Sequence, residues 1–264
     1  MIKYEKGERT MGRRDQLKER AVIHTEKMTE LYSGEIQRSI SGTRIYGPDF
    51  QRKDTFGKSA IYFLEQSYTQ DSVIRNAGEG KTAVITAVLN FASYRHAGGG
   101  FYNGAMAQEE AVCHASFLYN VLREFPEYYE WNEEHYNRGL YMNRALYSKD
   151  VFFFDGKGDH VKADVITCAA PNRSVMFRGG RFSEKENEDA LRERICFIRD
   201  ICDHEGVGVL IAGAYGCGVF AQKPEIVARL FREAFSDTKV QKVIFAVPPD
   251  RNFEAFEREF GRKE

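Results

Sequence analysis

Three features of the 264-residue sequence predict an α/β fold built on a mixed, mostly parallel sheet with helices on both faces. The run Ala83-Val84-Ile85-Thr86-Ala87-Val88-Leu89-Asn90-Phe91 is apolar without alternation, as a strand covered on both faces requires. Similar runs then alternate with helical patterns toward the C-terminal end. The 23 glycines, finally, cluster just after apolar runs, at Gly98-Gly99-Gly100 and at Gly213, Gly216 and Gly218. There a chain leaving a sheet must bend tightly or come close to something.

Residues 1–78 read as an N-terminal helical accessory region packed on a core of residues 79–264. Within it, residues 16–31 place Ala21, Val22, Met28 and Leu31 on a loose helical stripe. Gly34, Gly42, Gly47 and Pro48 make residues 33–54 mostly loop, and residues 59–68 read as a second helix. In the core, the strand at 83–91 leads through the glycine triplet to a helix over 109–125. Its Ala111, Ala115, Leu118 and Leu122 recur at three- and four-residue steps, and it stops before Pro126. Further strands are expected at 147–154, 163–170, 207–214 and 242–247. Helices are expected at 186–204, with Leu191, Ile195, Ile198 and Cys202 on one face, at 224–235 and at 252–260. Ligands of such sheets sit beyond the carboxyl ends of the strands, so both glycine loops should share one rim and face one ligand.

Charge and cysteine content exclude several function classes. Thirty-eight Lys and Arg against 39 Asp and Glu leave a net charge of −1, so no global basic field would draw the chain to nucleic acid or an anionic membrane. None of the five cysteines forms a Cys-x-x-Cys pair, which argues against a disulfide framework and a tetrahedral zinc site. No metal and no cofactor are expected. No run approaches the ~18 apolar residues of a membrane span, and the N-terminus shows no apolar signal core. Arg13-Arg14, followed by Asp15 and Lys18, does not read as an export signal. The expectation is a soluble, cytoplasmic monomer without membrane contact or general nucleic-acid binding.

Two constellations could carry chemistry. In the first, Asn90 ends a strand, Gly98-Gly99-Gly100 follow, and after seven more residues Gln108-Glu109-Glu110 open a helix. Consecutive glycines at a strand exit let backbone N–H groups converge on a phosphate or a sugar. Glutamates in a first helical turn are also favoured by the helix dipole alone, so the acidic pair gains meaning only from its company. The second is Gly213-Ala214-Tyr215-Gly216-Cys217-Gly218-Val219-Phe220 ahead of a helix near Pro224, a plausible diphosphate cradle. It lacks the Lys-Ser/Thr of a P-loop and the spacing of the dinucleotide fingerprint. A tight strand-to-helix turn is its alternative explanation, with Phe220 then an ordinary core residue.

The glycine triplet, the short spacer and Gln108-Glu109-Glu110 resemble the signature of the poly(ADP-ribose) glycohydrolases. Val88-Leu89-Asn90-Phe91-Ala92-Ser93 and Gly216-Cys217-Gly218-Val219-Phe220 resemble the bacterial-type branch. The similarity spans residues 17–256 in layout and is closest over 88–119 and 210–224. It implies a macrodomain-like three-layer fold with an N-terminal helical extension. It also implies hydrolysis of the ribose–ribose bonds of poly(ADP-ribose), releasing ADP-ribose. By position, Glu110 resembles the catalytic acid and Glu109 the carboxylate that orients the ribose. Asn90 resembles a contact to that ribose, and Gln108 belongs to the same signature. Gly98, Gly99 and Gly100 resemble the catalytic loop's backbone donors. Ala214, Tyr215, Gly216, Cys217, Gly218 and Val219 resemble the diphosphate loop, and Phe220 the aromatic beside the terminal ribose. The adenine-facing positions are not legible. Partners under this reading are poly(ADP-ribose) or an ADP-ribosylated macromolecule. A mono-ADP-ribosyl hydrolase and a non-catalytic ADP-ribose reader are the alternatives, and a pure reader has no need of the Gln-Glu-Glu triad.

Adjacent side chains on a helix point about 100° apart, so Glu109 and Glu110 should play different roles. The expectation is that Glu110 protonates the departing oxygen and then deprotonates water, its pKa raised by burial or nearby charge, while Glu109 holds hydroxyls. His114, four residues on, could reach Glu110, although a packed histidine is the commoner outcome. Cys217 and Cys168 read as buried fillers. The Phe152-Phe153-Phe154 run and Tyr128, Tyr129 and Trp131 read as packing residues.

Overall fold

The computed structural model describes residues 11–77, 84–179 and 181–261. Its strands are β1 (Arg44–Tyr46), β2 (Ile61–Gln66), β3 (Ile85–Phe91), β4 (Ala145–Phe154), β5 (His160–Cys168), β6 (Val207–Ala212) and β7 (Lys242–Val247). They form one seven-stranded sheet in the order β1-β4-β5-β3-β6-β7-β2. The β5-β3-β6-β7-β2 pairs are parallel, and β4 alone runs against the rest, pairing antiparallel with both β5 and β1. This is the expected mixed, mostly parallel sheet. Its central strand is β3, whose Ala87, Val88, Leu89 and Asn90 are all fully buried.

Strand periodicity sends alternate residues to opposite faces and so builds two cores. Leu89, Ile166, Leu210 and Phe245 pack with α6 (Glu184–Glu205), α7 (Pro224–Ala234) and α8 (Arg251–Phe260). Val88, Val165, Ile211 and Ile244 pack on the other face. That face is covered by α1 (Arg13–Gly42), α2 (Thr69–Asn76), α3 (Gln108–Ala115), α4 (Leu118–Leu122) and α5 (Pro126–Glu134). Phe153 and Tyr128 are fully buried there, and Phe152 and Tyr129 nearly so.

Several local expectations are corrected. Residues 59–68 hold the edge strand β2 and no helix. Its four apolar residues are consecutive and only their burial alternates, Ile61 and Phe63 being exposed and Tyr62 and Leu64 partly covered, and Tyr62 stacks on Phe245 of β7, with which β2 pairs in parallel. The helix comes just afterwards, as α2. Residues 33–54 are not mostly loop, because α1 continues to Gly42 through a kink at Tyr32 and β1 follows. Gly34 and Gly42 lie inside that helix, where tertiary packing of Met28 and Ile36 outweighs the roughly 1 kcal/mol a helical glycine costs. The expected helix over 109–125 is two helices. Ser116 between them is extended and bridges Phe153 of β4, and its hydroxyl caps the Leu118 N–H at 3.1 Å. Residue 83, the expected start of the first core strand, lies outside the described residues, and the strand itself begins at Ile85.

The boundary expected at residue 78 also falls outside the described residues. The segment before it supplies more than a covering layer, since β1 and β2 are the two edges of the single sheet. Its helix α1 buries Ala21, Met28 and Ile36 in the second core, at about 1.5–3 kcal/mol for a fully buried larger side chain. The N-terminal end of α1 reaches the chain just after the glycine triplet, where Arg14 Nε donates to Asn103 O at 2.9 Å. Among the described residues no helix is long and apolar enough to cross a membrane.

Candidate active site

Because β3 and β6 are parallel neighbours, their carboxyl ends open on the same rim, and both glycine loops leave the sheet there. The first begins at Asn90, which is fully buried. Its Nδ2 donates to Glu109 Oε1 at 3.2 Å and to Thr167 Oγ1 at 3.3 Å. Thr167 is its register partner in β5. Asn90 Oδ1 is buried and has no partner among the described residues.

Each glycine of the triplet is required by its surroundings. A Cβ at Gly98 would lie 2.7 Å from the Tyr119 ring, and one at Gly100 2.6 Å from Ala105 Cβ. At Gly99 it would lie 2.7 Å from Glu110 Oε1 and 2.8 Å from Glu109 Oε2. Gly98 and Gly99 both have left-handed backbone, with φ of 64° and 60°, which a side chain would strain as well. The two adjacent glutamates therefore do converge, around one residue. They manage this from the first turn of α3 because the loop folds over the helix end, and backbone N–H groups draw the carboxylates to it.

Those hydrogen bonds differ. Glu110 Oε1 accepts from Gly100 N–H at 2.7 Å and Oε2 from Ala107 N–H at 2.8 Å. Glu109 Oε2 accepts from Ser93 N–H at 2.7 Å, besides the bond from Asn90. Both side chains are buried, at 3% exposure for Glu109 and 6% for Glu110. Burial pushes the Glu109 carboxyl up to about 8, and the charge of Glu110 adds to the rise, against the donors Ser93 and Asn90. Gln108 is directed at the fold. Its Oε1 accepts from Phe91 N–H at 2.8 Å, and its Nε2 donates to Leu89 O at 2.9 Å and Thr69 Oγ1 at 3.3 Å. The side chain stands in for a missing strand partner at the end of β3.

The second loop, from Gly213 to Phe220, is held by its own turns and by its side chains. Tyr215 is fully buried, its hydroxyl donating to Cys168 O at 3.1 Å, and Cys217 is buried with its thiol pushed up by desolvation. These two can offer a ligand only backbone. Gly213 is packed against Ala246 O, and Gly216, at φ 73°, against Ala170 and Gln222. Among the described residues the N–H groups of Gly218, Val219 and Phe220 donate to nothing, a run of free donors just before α7. Val219 is 74% exposed. Phe220 is half-buried and meets Tyr141 edge-on at 6.0 Å.

Sequence reasoning missed Thr167 and Ala107, and quoted Ser93 only within a motif, without a role. Ser93 and Ala107 act through backbone N–H, which no residue type announces, and Thr167 is found only through strand register. His114 does not join Glu110. It packs on Phe101 and His24, its ring nitrogens have no partner among the described residues, and burial lowers its pKa to about 4. Among those residues no group of three or more His, Cys, Asp or Glu is placed to hold a metal ion.

Paired buried carboxylates at the rim of a three-layer α/β sheet, beside a row of backbone donors, define a macrodomain-like glycoside hydrolase. Residues 13–156 match the family described as microbial-type poly(ADP-ribose) glycohydrolase (PARG), catalytic domain, and the chain belongs to that family. Among solved structures it is similar to the PARG of Thermomonospora curvata, with 28% identity and a TM-score of 0.80 over 93% of this chain and 100% of that one. The same enzyme bound to the inhibitor ADP-HPD gives 28% identity and a TM-score of 0.79 with the same coverage. The PARG of Deinococcus radiodurans in complex with ADP-ribose gives 29% and 0.76, over 85% of this chain and 96% of that one. No curated protein matches the sequence.

Proposed function

We propose that this chain hydrolyses the ribose–ribose O-glycosidic bonds of poly(ADP-ribose) to release ADP-ribose, with Glu110 as general acid and base. The single observation carrying the reading is the closure of two buried carboxylates on Gly99, on a rim shared with the free N–H groups of Gly218, Val219 and Phe220. Family membership and the ADP-ribose and ADP-HPD bound to its structural neighbours supply the substrate class.

The diphosphate of the terminal unit sits on the second loop, where backbone donors serve a chain of net charge −1 without a basic surface. Its distal ribose lies between Phe220 and the glycine triplet, with Asn90 and Glu109 at its hydroxyls. Glu110 delivers a proton to the departing 2′-oxygen as the bond to the anomeric carbon breaks through an oxocarbenium-like state. Water then adds to that carbon and returns its proton to Glu110. Glu109, still protonated at neutral pH, holds hydroxyls without adding a negative charge to the pocket.

A second reading exchanges the roles and makes Glu109 the proton source, because burial raises its pKa to about 8. Incubating wild type, Glu110→Gln and Glu109→Gln with purified poly(ADP-ribose) tests both. ADP-ribose release abolished by Glu110→Gln, with ADP-ribose binding retained, supports the first assignment. Release that survives Glu110→Gln but not Glu109→Gln supports the exchange. No release by wild type removes the reading altogether.

A further inference from the structure

A second concavity, of about 570 Å³, lies between the glycine loop and the α4–α5 pair. Gly99 forms part of its wall, so the Glu109–Glu110 pair stands one residue away. No residue of the Gly213–Phe220 loop lines it, so a group held there would not compete with a diphosphate on that loop. Its volume is in the range of small-molecule sites.

The lining chemistry is specific. Arg95 and Arg123 bring two guanidinium groups. Among the described residues Arg95 has no acidic partner and instead lies over the Tyr136 ring at 4.8 Å, and Arg123 pairs only with its neighbour Glu124. Tyr102 and Tyr119 add two aromatic faces whose centroids are 4.8 Å apart. Tyr129, 7% exposed, belongs to the same wall and carries a hydroxyl with no partner among the described residues. Glu130 and Glu133 also reach the cavity; carboxylates accept from sugar hydroxyls and repel phosphate. Bidentate cations for phosphate, flat rings for a base and acceptors for a ribose together describe a nucleoside diphosphate.

We propose that this cavity binds the ADP-ribose unit on the leaving side of the scissile bond. The inference rests on the proposed hydrolysis of poly(ADP-ribose): an acid one residue from the cavity protonates the oxygen of the unit that departs, and that unit carries its own diphosphate and adenine. The terminal unit then occupies the two loops and the next unit the cavity, with Gly99 between them. Holding the leaving unit gives binding energy to a polymer that a single ADP-ribose cannot use.

The test uses Glu110→Gln protein, expected under the first assignment to bind without cleaving, titrated calorimetrically with ADP-ribose and with a two-unit oligomer. The oligomer should bind about tenfold more tightly, an increment that two charge-assisted contacts can supply. Adding R95A/R123A should abolish that gain and leave the affinity for ADP-ribose unchanged. Tyr102→Ala should reduce it without touching the charge. In the cleaving enzyme, R95A/R123A should raise KM for the oligomer at nearly constant kcat, and R95K/R123K should recover part of the loss. Equal affinity for one and two units, or equal weakening of both by R95A/R123A, overturns the leaving-unit site. A protein that binds neither overturns the reading of the two loops on which it depends.

Discussion

Glu110 ties the start of α3 to the glycine loop, its Oε1 accepting from the Gly100 N–H at 2.7 Å while Oε2 accepts from Ala107 N–H. The residue assigned to proton transfer is therefore also a clamp. Glu110→Gln keeps one acceptor oxygen for the loop and loses the transferable proton. The expected result is a fall in kcat of about a hundred- to ten-thousandfold, with the melting temperature lowered only slightly. A large loss of stability together with the activity would show that the clamp, and not the proton, was measured.

Gly99→Ala tests the convergence itself. The new Cβ would press on both carboxylates within 2.8 Å and hold a left-handed φ that costs alanine about 1–2 kcal/mol. Activity on poly(ADP-ribose) should be lost even in folded protein, because the carboxylates must move apart. Near-normal turnover by Gly99→Ala would place the reacting centre elsewhere.

The central strands, the helices α6, α7 and α8 and both loops are legible in the sequence, because a buried parallel strand needs a continuous apolar run, an amphipathic helix repeats its apolar face and a strand exit near a ligand needs glycine. Residues 61–66 do not declare a strand, because a six-residue edge strand with four consecutive apolar residues carries little periodicity. Gly34 and Gly42 read as breakers, since nothing local records the packing that holds α1 together across them. In the site, residue types pointed to the Glu-Glu pair. They could not show that Gln108 is spent on the β3 backbone, that Tyr215 points into the core, or that Ser93 and Ala107 hold the carboxylates by N–H groups every residue possesses.

Tyr215→Phe separates fold from ligand within the second loop. The hydroxyl is buried and bonds Cys168 O, so its removal should cost about 1 kcal/mol in denaturant unfolding and leave KM and kcat unchanged. A KM effect without a stability effect would mean that the hydroxyl faces substrate.

His114 makes the fold acid-sensitive. Its folded pKa of about 4 lies below the ordinary value of 6.5, from burial first and from Arg20 and His24 next. The unfolded chain therefore binds more protons between pH 6.5 and 4, and stability is lost as pH falls through that window, by up to about 3 kcal/mol. His24, beside it, is lowered by burial as well and acts in the same sense. Urea unfolding of wild type and His114→Phe between pH 7 and 4 measures this. The variant's profile should be flatter, and parallel profiles would remove His114 as a source.

Glu109 works in the opposite sense and links stability to turnover. Its folded pKa of about 8 is above the ordinary 4.5, so the folded state holds the extra proton between those values. The contribution to stability is fully present below pH 4.5 and is lost as pH rises toward 8. The same ionisation puts a negative charge beside Gly99 and removes a donor from the ribose hydroxyls. The rate on poly(ADP-ribose) should therefore fall above about pH 8 in wild type. Glu109→Gln, fixed in the neutral state, should be slower at its optimum, lack that alkaline limb and be more stable than wild type at pH 9. An alkaline limb that persists unchanged in Glu109→Gln would assign it to another group and leave Glu109 no part in the pH dependence.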